Sequence, residues 1–341
     1  MINLYSDTQT KPTRAMLETM MDAGLGDEQL HEDPTVLQLE KMVAEILGKS
    51  AALFLPSGTM CNQIAIRVHC HPGEEIILER TYHPLIAECG GAAAIAGAMV
   101  YPLDGVRGIY TVDQLKNAIR PNFARSPRSK LVWIEQTTNM GGGAIWPIEK
   151  MRSICAIAKE HKLATHLDGA RLFNASVATG MSAKEYATPF DSVWIDFTKG
   201  LGTAIGACLA GSKEFIEKAW YYKLQMGGAL RQAGVVAAPC IYALNHNIKR
   251  LSEDHENAKL LAFGLSQIST LHINVDEVET NLVFFDVSKM NLTASQFVEK
   301  LAKHNVRMCV AGPTRVRAVT HLDVNKKQIE QTIVIIQKLF I

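Results

Sequence analysis

Two polar motifs of this chain each come directly after a short apolar run, and their residue types suit catalysis. One is His166-Leu167-Asp168-Gly169-Ala170-Arg171, and the other is Thr198-Lys199-Gly200-Leu201-Gly202. Small residues leave room around Lys199, and a lysine amine in such a setting can form a Schiff base with a carbonyl cofactor. An aspartate at the same sheet edge, here Asp168, can keep a pyridinium nitrogen protonated, which makes the ring an electron sink.

Each motif taken alone also fits an ordinary structural role. Asp168 and Arg171 would make a surface ion pair, and Lys199 would be a solvated lysine after a strand. Both motifs occur in this order at the ends of predicted strands, where parallel sheets bind their ligands. The combination therefore favours the catalytic interpretation.

Two glycine-containing turns are candidate phosphate sites. Gly58-Thr59 lies between a predicted strand and a predicted helix, where backbone N–H groups at a helix start can bind an anion. The segment from Gly200 to Gly206 looks like a dinucleotide motif, but its third glycine comes one position too late. By itself the Gly58-Thr59 turn is a weak signal, because most turns of this kind bind nothing, and no dinucleotide is expected at Gly200 to Gly206.

Composition excludes several classes of protein. The chain has 341 residues, 48% of them hydrophobic, and 35 basic against 34 acidic residues give a net charge of +1. This balance argues against a nucleic-acid partner and against disorder. The seven cysteines include no C-x-x-C pair, and no apolar stretch is long enough to span a membrane. We expect a soluble cytoplasmic protein with no membrane partner.

A metal site is not expected either. His69 and His71 flank Cys70, but they stand at a helix end before Pro72 and no carboxylate is spaced with them as a ligand. A capping or core role suits these histidines better.

The order of predicted elements indicates an α/β fold. Short apolar runs alternate with helical stretches, which is typical of a mostly parallel sheet covered on both faces. The predicted strands of this part are Ala51–Leu55, 75–78, 99–102, 130–135, 163–167, 192–197 and 207–210. The last third predicts a long helix over 232–252, strands over 283–287, 306–310 and 317–320, and helices over 293–304 and 325–339. We divide the chain into an N-terminal arm (1–25), a large domain (26–245) and a small C-terminal α+β domain (246–341).

The motifs and their order resemble those of the threonine aldolase family, in particular the low-specificity L-threonine aldolases. The resemblance runs almost end to end. Besides the two motifs above, it is carried by Leu4-Tyr5-Ser6-Asp7-Thr8, Glu32-Asp33-Pro34-Thr35-Val36, Leu55-Pro56-Ser57-Gly58-Thr59, Gly227-Gly228-Ala229-Leu230-Arg231-Gln232 and Arg317-Ala318-Val319-Thr320-His321-Leu322-Asp323. It implies the aspartate aminotransferase-like fold (fold type I) and the cofactor pyridoxal 5'-phosphate (PLP).

The resemblance implies a role for each matching residue. Lys199 would bind the cofactor covalently, Asp168 would pair with the ring nitrogen, and His83 would stack on the ring. Arg171 would lie near the ring oxygen and the substrate carboxylate, and the helix start at Gly58 and Thr59 would hold the phosphate.

The same resemblance implies further carboxylate ligands and an assembly. Ser6 and Arg317 would bind the substrate carboxylate. Arg315 and Arg317 lie two positions apart and would share one strand face, so alignment alone selects Arg317. Arg231 would reach the cofactor phosphate of a neighbouring subunit, which implies a homo-oligomer, a dimer or a homotetramer, with shared active sites.

Two departures from the family concern the substrate. Family members commonly carry a histidine that contacts the substrate hydroxyl, and Thr138 occupies its place here. A threonine can hydrogen-bond but cannot act as a base near neutral pH. The family's Tyr-Gly pair is Leu30-His31 in this chain, so His31 is a candidate for the missing imidazole.

The resemblance implies cleavage of L-threonine, L-allo-threonine or a related β-hydroxy-α-amino acid to glycine and an aldehyde, an aldehyde-lyase reaction. The change at Thr138 leaves alternatives open: a phenylserine aldolase, or a β-eliminating lyase or racemase with the same cofactor. A regulatory protein that binds the cofactor without turnover is a further alternative.

Overall fold

The computed structural model describes residues 1–340, and its strands fall into one large sheet and two small ones. The twelve strands of the described residues are β1 (Ile2–Asn3), β2 (Ala51–Leu55), β3 (Glu74–Glu79), β4 (Met99–Leu103), β5 (Arg128–Glu135), β6 (Ala164–Gly169), β7 (Ser192–Asp196), β8 (Ala207–Gly211), β9 (Leu282–Asp286), β10 (Val306–Arg307), β11 (Cys309–Val310) and β12 (Arg315–Val319). All seven strands predicted before residue 211 are confirmed.

Helices cover the sheet and build much of the small domain. In chain order they are α1 (Arg14–Met21), α2 (Pro34–Leu47), α3 (Gly58–His69), α4 (His83–Ile86), α5 (Gly91–Ala96), α6 (Val112–Ala118), α7 (Ile148–Glu160), α8 (Leu172–Thr179), α9 (Ala183–Ala187), α10 (Lys213–Gln225), α11 (Gly234–His246), α12 (Leu251–Ser266), α13 (Ala294–Ala302) and α14 (Lys326–Phe340). Short 3₁₀ turns occur at Asp7–Gln9, Glu28–Leu30, Val275–Glu277 and Ser288–Met290.

The large sheet has the strand order β2-β8-β7-β6-β5-β3-β4. Strand β8 runs antiparallel to both of its neighbours, and the other six strands all run in one direction. The predicted α/β class with a mostly parallel sheet is therefore confirmed. Every residue of β7 is buried, as expected for a central strand covered on both faces.

Local sequence signals explain where helix α2 begins and ends. The Asp33 carboxylate accepts hydrogen bonds from the backbone N–H groups of Thr35 and Val36 at 3.1 and 3.0 Å, and Pro34 stands in the first turn. Gly48 ends the helix in the left-handed conformation, with φ of 63°. This capping pattern is the one the sequence predicts.

The small domain contains the antiparallel sheet β11-β12-β9 and a second hydrophobic core. The start of the chain joins this part of the structure, because β1 pairs in parallel with β10. The sequence did not predict β1, which is only two residues long.

Two predictions in this region are wrong. The predicted helix over 232–252 is interrupted between α11 and α12, where the Asn247 side chain donates to the Leu201 carbonyl at 2.7 Å. The predicted strand over 306–310 divides at Met308, because β10 pairs with β1 whereas β11 pairs with β12. Both breaks depend on contacts with residues distant in sequence, so the local hydrophobic periodicity could not predict either break.

No helix in residues 1–340 combines the length and the apolar character that a membrane crossing requires.

Candidate active site

The carboxyl ends of the parallel strands bring most of the predicted residues to one cavity of about 310 Å³. Turns after β2, β3, β5, β6 and β7 all open at this edge of the sheet. The N-terminal segment and strand β12 complete the walls. The lining residues are Ser6, Thr8, Ser57, Gly58, Thr59, Asn62, His83, Glu135, Thr137, Asn139, Asp168, Ala170, Arg171, Trp194, Asp196, Thr198, Lys199 and Arg317.

Lys199 is the amine of this cavity. Its Nζ lies 2.9 Å from Oδ2 of Asp196, and the lysine side chain is 16% exposed. The other carboxylate oxygen of Asp196 accepts hydrogen bonds from the backbone N–H and the hydroxyl of Thr198, at 2.8 and 2.7 Å. Asp196 therefore orients the turn that carries the lysine.

Asp168 presents a buried carboxylate at the end of β6. Its Oδ1 accepts the backbone N–H of Ala170 at 3.0 Å, and its Oδ2 accepts the amide of Asn62 at 3.2 Å. Burial raises the pKa of Asp168, and the charges of Lys199 and His83 oppose this rise. A cationic group bound nearby would favour the ionised carboxylate further.

His83 lies beside Asp168 and is fixed by a second carboxylate. Its Nδ1 lies 2.7 Å from Oε1 of Glu88, which also accepts the side-chain amide of Asn62 at 2.6 Å. Gln63 donates to the other oxygen of Glu88 at 2.5 Å. The hydrogen bond to Glu88 raises the pKa of His83, although burial lowers it. Only Nε2 of the ring remains free for a ligand.

The start of helix α3 forms one wall of the cavity. The Ser57 hydroxyl caps the helix by accepting the N–H of Met60 at 3.2 Å. A Cβ added at Gly58 would lie 2.2 Å from the Trp194 ring, so only glycine allows the helix start to approach the sheet this closely. The N–H groups of Gly58 and Thr59 belong to this first turn, where a helix binds anions.

Arg171 is buried in a bidentate ion pair with Asp7. Its Nε and Nη2 each donate to an Asp7 carboxylate oxygen at 2.7 Å. Burial by itself would raise the pKa of Asp7, but the charge and hydrogen bonds of Arg171 hold it well below the usual range. Asn281 adds a further donor at 3.1 Å. The pair ties the N-terminal segment to the end of β6.

Arg317 is the arginine whose side chain has free capacity at this cavity. Its Nη1 donates to Oδ1 of Asn139 at 3.0 Å, and its Nη2 lies 3.5 Å from the Tyr5 carbonyl oxygen. The buried Nε has no hydrogen-bond partner within the described residues. Ser6 follows Tyr5 in the sequence and also lines this cavity. Its hydroxyl accepts a hydrogen bond from the hydroxyl of Thr8 at 2.8 Å.

Glu135, Asp196 and Asn62 are site residues that the sequence motifs did not indicate. Glu135 accepts the backbone N–H of His83 at 3.0 Å and that of Asn139 at 2.6 Å. Burial, together with the charge of Asp168, raises its pKa to about 7. Glu135 and Asp196 are each the last residue of a parallel strand, and that position is the signal that could have identified them.

Three predicted residues do not line this cavity. The Thr138 hydroxyl donates to the Arg107 carbonyl at 3.0 Å, and its side chain is fully buried beside Gly108. His31 packs its ring against Trp220, with 4.6 Å between ring centroids. Arg231 is 62% exposed and forms a salt bridge with Asp27 at 2.9 Å. The other eight predicted site residues all line the cavity within one chain.

The donor set of the cavity fits PLP. The cavity provides an amine at Lys199, a buried carboxylate at Asp168 and a helix start at Gly58 that a Cβ would obstruct. These groups match an aldehyde, a ring nitrogen and a phosphate. Across residues 1–340, no three His, Cys, Asp or Glu side chains are arranged to hold a metal ion.

Comparison with known proteins gives consistent matches. Residues 3–289 match the family described as beta-eliminating lyase. The chain is 40% identical over 332 residues to the low specificity L-threonine aldolase of Escherichia coli K12, covering 97% of each chain. A threonine aldolase structure from Leishmania major superposes with a TM-score of 0.85 at 20% identity, with all of both chains covered. A structure of SPT with PLP has a TM-score of 0.74 at 18% identity, covering 99% of this chain and 86% of that one.

Proposed function

The chain belongs to the beta-eliminating lyase family, and we propose that it is a PLP-dependent aldolase that cleaves β-hydroxy-α-amino acids to glycine and an aldehyde. L-threonine and L-allo-threonine are the proposed substrates. One observation carries the proposal: an amine, a buried carboxylate and an arginine with free donors, at Lys199, Asp168 and Arg317, face a single cavity.

The residues that would hold the cofactor follow from the cavity. Lys199 would bind its aldehyde, Asp168 its ring nitrogen, His83 its ring face, and the N–H groups of Gly58 and Thr59 its phosphate. When bound, PLP supplies an electron sink for the electron pair that remains on Cα after bond cleavage.

The remaining residues bind and orient the substrate. Arg317 and Ser6 would bind its carboxylate, and this would select which bond at Cα is broken. Arg171 supports this arrangement from its buried pair with Asp7. His83 exchanges a proton with the β-hydroxyl through Nε2, because Nδ1 is engaged by Glu88. The predicted substrate contacts of Thr138 and His31 have no support within one chain, because the Thr138 hydroxyl is bonded to the Arg107 carbonyl and the His31 ring packs on Trp220.

The proposed assembly is a homo-oligomer, a dimer or a tetramer. Arg231 supports it, because this exposed arginine has only Asp27 as a salt-bridge partner in the described part of the chain. In the assembly Arg231 would reach the cofactor phosphate of the neighbouring subunit. We keep the division into an arm (1–25), a large domain (26–245) and a small domain (246–341) as part of this proposal.

A cytoplasmic location is also proposed. All seven cysteines are free thiols, and five of them are buried. Thiols persist in this form in a reducing compartment.

The test is product analysis with the purified, PLP-loaded protein. L-threonine, L-allo-threonine and L-phenylserine are each incubated with it, and glycine and the aldehyde are quantified. Glycine from any of the three supports the aldolase, and the order of rates defines the preferred side chain. Release of a keto acid and ammonia instead would identify a β-eliminating lyase. Inversion of the amino acid at Cα would identify a racemase. Either result without glycine would overturn the proposal.

A further inference from the structure

A second cavity of about 280 Å³ adjoins the candidate active site at the same edge of the large sheet. It lies over the ends of β3, β4 and β5 and under the small-domain strands β9 and β12. The loop after β5 separates the two cavities: Asn139 lines the first, and Met140, Gly141 and Gly142 line the second. The two cavities therefore share this loop as a common wall.

Two arginines of strand β12 line different cavities. Arg317 lines the first cavity and Arg315 lines the second. Residues two apart on a strand lie on the same face, and their Cα atoms are separated by about 6.8 Å. Each arginine contacts the loop after β5, since Arg317 donates to the Asn139 side chain at 3.0 Å and Arg315 to the Met140 carbonyl at 3.2 Å.

Arg315 is a half-buried cation without a carboxylate partner among the described residues. Its guanidinium lies 4.1 Å from the centroid of the Phe284 ring, and its single hydrogen bond leaves four N–H donors unused. Burial lowers the pKa of Arg315, and the nearby charge of Arg107 acts in the same direction, while Glu277 opposes both. Its guanidinium still stays charged at neutral pH. An anion bound here would offset the cost of partly burying the Arg315 charge.

The other charged groups of the second cavity already have partners. Arg107 forms salt bridges with Glu279 at 2.7 Å and with Glu277 at 3.9 Å. One carboxylate oxygen of Glu79 accepts the N–H and the hydroxyl of Thr81, at 2.7 and 2.5 Å. Arg315 is therefore the arginine of this cavity that has no salt-bridge partner among the described residues and keeps donors free for a carboxylate.

We propose that Arg315 binds the distal carboxylate of a dicarboxylic β-hydroxy-α-amino acid whose α-carboxylate is bound by Arg317. The proposal rests on the aldolase function proposed above and adds a class of substrate to it. In 3-hydroxyglutamate four C–C bonds separate the two carboxylate carbons, a span of roughly 5 Å, which suits two guanidinium groups on alternate residues of one strand. Charge-assisted hydrogen bonds to a planar guanidinium would then select the carboxylate over a neutral group.

The reaction is the same aldol cleavage. The Cα–Cβ bond of 3-hydroxyglutamate breaks, the β-hydroxyl loses its proton, and the carbonyl group of 3-oxopropanoate forms. The electron pair of the broken bond stays on Cα, which takes up one proton to give glycine. Atoms and charge balance with no oxidant or reductant.

The kinetic test compares two nearly isosteric substrates. Glycine release is measured for 3-hydroxyglutamate and for its neutral amide, 3-hydroxyglutamine, with the PLP-loaded wild type and with Arg315→Gln. We expect the wild type to prefer the acid, and Arg315→Gln to reduce the ratio of kcat/KM values at least about tenfold, the usual scale of a charged hydrogen bond. Arg307→Gln is the matched control, because Arg307 also stacks on an aromatic ring, Tyr5, but does not line the cavity. An unchanged ratio in Arg315→Gln would overturn the proposal.

A binding measurement separates this proposal from the aldolase function. L-glutamate and L-glutamine lack the β-hydroxyl and cannot undergo the cleavage, so calorimetry reports their affinity for the loaded protein alone. We expect Arg315→Gln to reduce the preference for L-glutamate at least about tenfold and Arg307→Gln to leave it unchanged. If L-threonine yields no glycine but this preference depends on Arg315, the subsite is supported and the reaction is wrong. If glycine is released and no carboxylate preference exists, the subsite is wrong and the reaction stands.

Discussion

The amine of Lys199 lies 2.9 Å from a carboxylate oxygen of Asp196, the last residue of strand β7. Lysine and aspartate are three residues apart, and the turn between them is fixed because Thr198 donates two hydrogen bonds to the other oxygen of the same carboxylate. The sheet edge therefore presents the amine at a defined point in the cavity that Asp168 also lines. A lysine held this way can be tested for two separate properties, its charge and its nucleophilicity.

Replacing Lys199 by alanine should lower glycine release from L-threonine by at least about 100-fold, because the amine that we propose bonds to the cofactor and moves protons is lost. Lys199→Arg keeps a positive charge that can pair with Asp196, but a guanidinium is not an amine nucleophile at neutral pH. We expect both variants to be similarly inactive, as measured by glycine release in the presence of excess PLP. Substantial activity in Lys199→Arg would mean that the charge, and not the amine, is what the reaction needs.

The buried pair of Asp7 and Arg171 predicts a particular acid sensitivity. Asp7→Asn leaves Arg171 buried without its counter-charge, so the free energy of unfolding at pH 7 should fall by about 3–5 kcal/mol. The pKa of Asp7 in the folded protein lies below its ordinary value of 3.8, so the stabilisation is present above that pH and is lost as the pH falls further. The difference between wild type and variant should therefore shrink below about pH 4.

Denaturant unfolding between pH 3 and pH 7 measures this effect. Asp104→Asn is the matched control, because Asp104 also pairs with an arginine, Arg80, but on the surface. We expect the control to change stability little at any pH. An equal loss in both variants would contradict the special role of the buried pair.

Much of the fold could be predicted because its signals are local. The apolar runs that form β2 to β8 and the capping of α2 by Asp33 are visible in short windows of sequence. The pairing of β1 with β10 and the break before α12 were missed, because they depend on partners far along the chain. Local periodicity contains no information about such contacts.

The candidate site likewise contains residues that local sequence signals predict and residues whose roles depend on distant contacts. Asp168, Lys199 and Gly58 follow predicted strands, and their residue types by themselves indicate chemistry. Glu135 also ends a strand, but its role emerges only from the N–H groups of His83 and Asn139 that converge on it. The choice between Arg315 and Arg317 could not be made from strand periodicity, since both lie on one face. The structure assigns them to adjacent cavities.

The hydrogen bond between His83 and Glu88 predicts a titration. This bond raises the pKa of His83 above its ordinary 6.5, so Glu88→Gln should lower that pKa. The bond also stabilises the folded protein below pH 6.5, and this contribution is lost as the pH rises through the folded pKa. NMR titration of the imidazole signals, assigned with His83→Asn, measures the change.

A carboxylate that does not contact the ring provides the control for this titration. Glu74 accepts the backbone N–H of His71 at 2.8 Å, and Glu74→Gln should leave the His83 pKa unchanged. A His83 pKa that is the same in wild type and in Glu88→Gln would show that the other charges of the cavity, Asp168 and Lys199, set its protonation.

Arg231 predicts that active sites are shared between subunits. Its side chain is 62% exposed in the single chain, so Arg231→Ala should leave folding intact but weaken PLP binding about tenfold or more if the guanidinium binds a partner's cofactor phosphate. Each site would then take Lys199 from one chain and Arg231 from the other, so the substitutions Arg231→Ala and Lys199→Ala would inactivate a site through different chains. In a mixed dimer, one of the two sites combines an intact Lys199 with an intact Arg231 from the partner. Random pairing of equal amounts should therefore restore about one quarter of the wild-type sites.

Coexpression of the two variants in equal amounts yields the random mixture, and glycine release by the unfractionated mixture at limiting PLP measures its activity. Arg14→Ala is the control for loss of an exposed, salt-bridged arginine, since Arg14 pairs with Glu18 at 2.8 Å. It should bind PLP like the wild type, and its mixture with Lys199→Ala should show only the activity of the Arg14→Ala subunits. Mixed oligomers of Arg231→Ala and Lys199→Ala that are no more active than the sum of the separate variants would place Arg231 outside the shared site. Recovery to the expected quarter requires that the two residues meet across a subunit boundary, because neither chain alone carries both.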